Sequence, residues 1–203
     1  MSNSDLKFII LDDHPLVCET LAANVREQIP ESSIAYLGPD PLLALNAVEG
    51  SGGWIALVDA DLGQSINTSD VIISFVDRGV RVALVSAQDK PQRVQEAVLA
   101  GARAFVPKRE ISHSLKETVE ALREGTYHRT PEFLSMLVPT PHSPVTLTES
   151  ESRALIMIAA GMPNASVARR MDISSADVDG LIEGTLHKYI EAAALAASQR
   201  LET

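Results

Sequence analysis

The sequence predicts an α/β protein: a doubly wound sheet of five parallel strands, followed by a small all-helical unit. Three observations carry this. Short aliphatic runs at residues 8–11, 55–58, 82–85 and 104–106 recur with helix-length segments between them, the pattern of parallel strands covered on both faces. Four prolines, Pro131, Pro139, Pro141 and Pro144, then break the alternation. Beyond them the apolar periodicity is helical only.

Each element follows in order. The run Phe8-Ile9-Ile10-Leu11 is the first strand, and residues 15–29 place Leu16, Val17, Leu21, Val25 and Ile29 at helical spacing. A second strand is expected around Ile34-Ala35-Tyr36-Leu37 and a short helix over 41–48, closed by Gly50, Gly52 and Gly53. The third strand ends at Asp59, and a helix over 69–78 stops at Gly79. The fourth strand ends at Val85, with a helix over 90–100 stopped by Gly101. The fifth leads to Pro107-Lys108, and a helix over 112–124 closes at Gly125. Strict alternation of this kind is the flavodoxin-like layout. It bounds a first domain at 1–125, an extended linker at 126–146 and a helical domain at 147–203.

In that last part, Thr148-x-x-Glu151 reads as a capping box opening a helix through Ala154, Leu155 and Ile158, ended by Gly161. A second helix runs through Val167, Ala168 and Met171. Ser174-x-x-Asp177 caps a third, and a separate alanine-rich helix is expected over 191–198. A tight turn between the second and third suggests a helix-turn-helix. Gly180 and Gly184 would offer a small-residue face for close helix packing.

With 45% apolar residues the chain can bury a core, and with only 4% aromatics that core is aliphatic. No apolar stretch reaches about eighteen residues, and no basic leader precedes a hydrophobic segment. The single Cys18 makes no internal disulfide and reads as a small packing residue. A cytoplasmic protein without a membrane span is expected. The net charge of −10 is spread along the chain: 11 basic and 18 acidic residues in 1–125, 5 basic and 8 acidic from 146 onward. Neither part has the basic balance of a nucleic-acid module.

In a parallel sheet, ligand chemistry gathers beyond the carboxyl ends of the strands. Asp12, Asp13, Asp59, Ser86 and Lys108 all occupy such ends. Adjacent buried acids need a cation, and Mg²⁺ suits carboxylate and carbonyl oxygens, including the backbone carbonyl of Asp61. The Asp59 carboxylate can then attack phosphorus, with the Lys108 ammonium and the Ser86 hydroxyl on phosphate oxygens. Taken singly, each residue is as well read as a helix cap or a solvated side chain. Their joint occurrence, in this order, points to phosphoryl transfer.

Leu11-Asp12-Asp13-His14-Pro15, Val58-Asp59, Val85-Ser86-Ala87, Ala100-Gly101-Ala102 and Phe105-Val106-Pro107-Lys108 resemble a response-regulator receiver domain. The resemblance covers about residues 6–125. It implies Asp59 as phosphoacceptor, Ser86 and Phe105 as a switch pair, Mg²⁺ as cofactor, and a histidine kinase or phosphotransfer protein as partner. The loop after Asp59 departs from that family: Gly63 stands where a proline is usual, and Asn67 where a later glycine is usual. Asp59-Ala60-Asp61 is also similar to the Asp-x-Asp pair of haloacid-dehalogenase-like phosphatases. There the pair follows the first strand, however, and Asp12-Asp13 would have no role.

Leu147-Thr148, Glu151, Ile158-Ala159, Gly161, Asn164, the run from Val167 to Met171, Ile173-Ser174 and Lys188 resemble the LuxR/NarL/FixJ-type helix-turn-helix over about 147–190. Together the two resemblances imply a NarL/FixJ response regulator, a transcription regulator that forms a homodimer on DNA. The base-reading positions depart from the family, with Ala165-Ser166 for the usual Lys-Glu and Asp179 for a lysine. Asp177, Asp179 and Glu183 oppose a duplex, since Lys and Arg contacts to phosphates supply most of the affinity of such modules. Arg153, Arg169, Arg170 and Lys188 are the candidate phosphate contacts. Two outputs are therefore expected: weakened DNA binding, or action through protein partners alone.

Overall fold

The computed structural model describes residues 6–50, 52–63, 65–87, 90–140, 143 and 145–201. In chain order the elements are β1 (Leu6–Leu11), α1 (Pro15–Gln28), β2 (Ser33–Gly38), α2 (Pro41–Asn46), β3 (Gly53–Asp59), α3 (Thr68–Val76), β4 (Arg81–Ser86), α4 (Pro91–Leu99), β5 (Ala104–Pro107), α5 (Ile111–Glu124), α6 (Pro131–Met136), α7 (Glu149–Ala159), α8 (Asn164–Met171) and α9 (Ser175–Leu201). They divide into two compact units, residues 1–89 with 100–128, and residues 90–99 with 129–203.

The first unit holds a five-stranded sheet in the order β2-β1-β3-β4-β5, with every pairing parallel. Alternation sorts its side chains. Phe8, Ile10, Ile55, Leu57, Ala83, Val85, Ala104 and Val106 face one way, packing with Cys18, Leu21 and Val25 of α1 and Leu115, Val119 and Leu122 of α5. Intervening residues such as Ile9, Ala56, Val58, Leu84 and Phe105 are equally buried on the other face. Burial on both faces is why these strands read as continuous apolar runs.

Register then fixes the site. Leu11 pairs with Val58, so the next residues, Asp12 and Asp59, come side by side. Asp59 pairs with Val85, which sets Ser86 one step beyond. Ser86 pairs with Pro107, which brings Lys108 to the same edge. The loop after β3 is turned by Gly63 at φ +91°, a conformation that favours glycine. Asn67 accepts a hydrogen bond from Ser69 N and caps α3, so the position where receiver domains usually carry a glycine serves here as a helix start.

In the second unit α7 opens on the expected capping box: Thr148 Oγ1 accepts from Glu151 N, and Glu151 Oε2 accepts from Thr148 N at 2.7 Å. Asp172, in the left-handed region at φ 57°, ends α8. Ser174 and Asp177 exchange capping bonds at the start of α9. Three features differ from the sequence reading. The separate third and alanine-rich helices are one 27-residue helix, α9; no proline lies within it, and two glycines alone do not stop a helix held by packing. The stretch 126–146 is not extended throughout, because Pro131 takes the first turn of α6, Thr130 caps it, and Phe133, Leu134 and Met136 are buried. The small-residue face is half realised: a Cβ at Gly184 would lie 3.2 Å from Glu151 Oε1, while one at Gly180 would meet nothing within 4 Å.

Helix α4 also groups with this unit. Gln95, buried in α4, donates its side-chain amide to Met136 O at 2.8 Å and Val138 O at 3.1 Å, which satisfies carbonyls left open where α6 ends.

Candidate functional site at the carboxyl edge of the sheet

Asp12 and Asp59 are carboxylates at strand ends and are nearly removed from solvent, at 1% and 5% exposure. The Lys108 ammonium bridges them, 2.6 Å from Asp12 Oδ2 and 3.0 Å from Asp59 Oδ2. Lys108 reaches them because Pro107 ends β5 and a short 3₁₀ turn, Lys108–Glu110, starts there. Asp13 is more exposed and meets His14, whose Nδ1 lies 2.6 Å from Asp13 Oδ1 and 3.3 Å from Asp12 Oδ1. The Cys18 thiol donates to the Asp12 carbonyl oxygen at 3.4 Å, a packing role as expected.

Protonation follows from this crowding. Burial pushes the Asp59 carboxyl above its ordinary value; the Lys108 bond and the Asp61 backbone N–H pull it back, while the Asp12 charge adds to the rise. Burial opposes the charged form of Lys108, yet its bonds to Asp12 and Asp59 outweigh it and raise the ammonium. Burial and then the Asp12 charge raise the Cys18 thiol.

Oxygen and nitrogen atoms of Asp12, Asp13, His14 and Asp59 lie within 4.8 Å of one another. Asp12 is buried, and its Oδ2 is held by the Lys108 ammonium at 2.6 Å. Three carboxylates against one ammonium leave excess negative charge, and hard oxygen donors are the chemistry that Mg²⁺ takes. The residues therefore fit a divalent cation.

Of the other expected residues, Ser86 is 7% exposed at the end of β4, and Phe105 is 1% exposed, its ring inside. The Asp61 side chain is exposed in the loop after β3. The structure thus brings together Asp12, Asp13, Asp59 and Lys108, with Ser86 on the neighbouring strand end.

The helical unit treats its candidates differently. Arg153, Arg169 and Arg170 are exposed. Lys188 is drawn inward, 2.7 Å from the buried Glu151 Oε2 and 3.3 Å from Thr146 O, so its ammonium is engaged within the unit rather than left for a phosphate. Asp179 accepts from Asn164 Nδ2 at 2.6 Å, joining the first residue of α8 to α9. Glu183 pairs with Arg129 at 3.1 Å. Asp177 serves its cap, and the Ser174 hydroxyl and N–H hold its carboxyl below the usual range. Sequence reasoning assigned His14 no role, although its place directly after an acid pair was a visible signal. No sequence signal announced the Glu151–Lys188 pair.

No family model matches the chain. Among curated relatives, the transcriptional regulatory protein UhpA of Escherichia coli is 25% identical over 165 residues, 81% of this chain and 82% of that protein. Among solved structures, the RcsB response regulator of Salmonella typhimurium, studied for its interaction with DNA, has a TM-score of 0.59 at 16% identity, covering 96% of this chain and 99% of that one. The response regulator ChrA of a heme-sensing two-component system has a TM-score of 0.54 at 21% identity, covering 98% and 99%. No helix among the described residues is long and apolar enough to cross a membrane.

Proposed function

Taking the chain as a LuxR-type two-component response regulator, we propose that Asp59 accepts a phosphoryl group from a histidine kinase or phosphotransfer protein. The observation that carries this is the Lys108 ammonium spanning Asp12 and Asp59 at adjoining strand ends. A carboxylate oxygen of Asp59 forms a bond to phosphorus as the bond to the donor's leaving group breaks, and the leaving group takes up a proton. Lys108 passes from the carboxylates to a phosphoryl oxygen, and the Ser86 hydroxyl donates to another. Asp12, Asp13 and Asp59, with the backbone carbonyl of Asp61, would hold Mg²⁺, which when bound offsets the charge of the acids and of the incoming phosphate. Phe105, buried on the neighbouring strand β5, is in this reading the partner that responds to a shift of the Ser86 hydroxyl. The test is intact-mass labelling of the full chain by acetyl phosphate with Mg²⁺. The parent gains one phosphoryl group and Asp59→Asn gains none; equal labelling of both would overturn the assignment.

The output in this reading is control of transcription with weakened DNA contact. A second reading, action through protein partners without DNA, is favoured by the internal use of Lys188 and Asp179. An Asp-x-Asp phosphatase is disfavoured, because it leaves Asp12 and its Lys108 partner without a task.

A further inference from the structure

We propose that the turn at residues 136–138 is a joint between α4 and α9, and that it passes the phosphorylation state of Asp59 to α9. Gln95 and Tyr189 are the two side chains that make the joint. This rests on the reading that Asp59 accepts a phosphoryl group.

Three successive backbone carbonyls carry the argument. Helix α6 is only six residues long and ends at Met136, so Met136 O and Leu137 O must find partners outside the helix. Gln95 of α4, 3% exposed, donates through Nε2 to Met136 O at 2.8 Å and to Val138 O at 3.1 Å. The carbonyl between them, Leu137 O, accepts from the Tyr189 hydroxyl of α9 at 3.0 Å. Tyr189 is fully buried. One amide and one phenol, from two helices far apart in sequence, thus hold a single turn. Both are polar groups whose burial is costly unless those bonds are made.

The chain ties this turn to the carboxyl edge of the sheet. Helix α4 groups with the second unit, yet it lies in the chain between β4, which ends at Ser86, and β5, which leads to Lys108. Those two residues change partners when Asp59 carries a phosphoryl group: Ser86 donates to one phosphoryl oxygen, and Lys108 leaves the carboxylates for another. Shifts at the ends of both flanking strands move α4, and Gln95 with it. Because Gln95 meets two carbonyls at once, a small displacement costs at least one of its bonds. The short α6 then frays, since a helix of this length is held by its packing and its caps. The partner of the Tyr189 hydroxyl shifts with it. The position of α4 is thereby coupled to α9, the helix that also carries Asp177, Asp179 and Glu183.

The test is amide exchange of the full chain before and after labelling by acetyl phosphate with Mg²⁺, with intact mass read on the same samples. In the parent, labelling raises exchange over residues 131–137 and 182–190 by about fivefold or more. Gln95→Met keeps the volume but cannot donate; it loses both responses while Asp59 is still labelled. Tyr189→Phe removes only the hydroxyl; it keeps the response of 131–137 and loses that of 182–190. A merely structural role would change exchange equally in labelled and unlabelled protein, so the difference between the two decides. A labelled parent with unchanged exchange, or a response retained in Gln95→Met, would overturn the joint and leave the phosphoacceptor standing. A parent that takes no label would overturn the phosphoacceptor, and the joint with it. Should Gln95→Met fail to fold, Tyr189→Phe decides alone, and a retained response over 182–190 overturns the joint.

Discussion

The Lys188 ammonium sits 2.7 Å from Glu151 Oε2, linking α9 to the capping glutamate of α7 across 37 residues of sequence. Glu151 thus does two jobs. It closes the capping box by accepting from Thr148 N and Oγ1, and it places a negative charge where α9 supplies a positive one. The lysine that resembles a DNA contact is, in this chain, part of the joint between two helices.

Removing that joint should cost stability. Glu151→Ala takes away a cap, worth about 1 kcal/mol, and leaves Lys188 without its carboxylate. Breaking a largely buried pair costs up to roughly 3–5 kcal/mol, and partial exposure of Lys188 reduces this, so a total near 3 kcal/mol is expected. Denaturant unfolding followed by amide exchange in residues 149–159 measures it. An unchanged exchange rate there would show that the pair contributes nothing.

The same group sets an acid limit. Burial alone would raise the Glu151 carboxyl, but the bonds from Lys188 and Thr148 outweigh it and lower it from 4.5. A carboxyl lowered on folding contributes stability that is present above its unfolded value and is lost as pH falls through the folded one. The midpoint of α7 unfolding should therefore drop steeply below about pH 4.5 in the parent. It should drop less in Glu151→Gln, which does not titrate; identical slopes would be the contrary result.

Asp59 has the opposite sign. Its carboxyl is raised, by burial first, so the folded sheet unit holds that proton more tightly than the unfolded chain does. The contribution of Asp59 to stability is fully present below its unfolded value of 3.8 and is lost as pH rises through the folded one. In cation-free buffer at neutral pH, Asp59→Asn should raise the thermal midpoint of the sheet unit, with Lys108 still paired to Asp12. Saturating Mg²⁺ should narrow the gap between parent and variant, since it binds the parent's carboxylate cluster more strongly.

Gly63 offers a test of the altered loop. Its φ of +91° puts a side chain under backbone strain, and the Cβ position lies 4.0 Å from Asp13 Oδ2. Gly63→Ala should cost about 1 kcal/mol and shift the loop against Asp13. The labelling rate with acetyl phosphate and Mg²⁺ should fall with it, while the final extent of labelling is kept.

Much of the polar edge at the carboxyl ends of the strands was legible because parallel register is regular. Once Phe8 to Leu11 and Ile55 to Val58 are strands, their next residues must adjoin, and the polar ends of β4 and β5 follow by the same step. The caps at Thr148 and Ser174 were legible for a similar reason: both partners lie within four residues. What failed to show depends on distance in sequence. Nothing local says that Lys188 turns toward Glu151, or that Asn164 and Asp179 meet at 2.6 Å. The continuity of α9 is not legible because the change of composition at the alanine-rich stretch resembles a boundary, although no breaker is present. Pro131 reads as a disruption in the sequence, although a proline in a first turn starts a helix as readily as it ends one.

The remaining prediction separates the two outputs. With Lys188 engaged by Glu151 and Asp179 by Asn164, the exposed cations of the helical unit among the DNA candidates are Arg153, Arg169 and Arg170. Each neutralised phosphate contributes about −0.9 to the slope of log affinity against log salt. A unit that still binds DNA through these three should show a slope no steeper than about −3 per protomer, and Arg169→Ala should flatten it by about 1. Asp179→Lys, which removes an acid from the reading face, should strengthen binding at low salt. A parent slope far steeper than this would mean that other cations are recruited and that the DNA face is intact. No binding at low salt by either parent or variant, phosphorylated or not, would leave protein partners as the output.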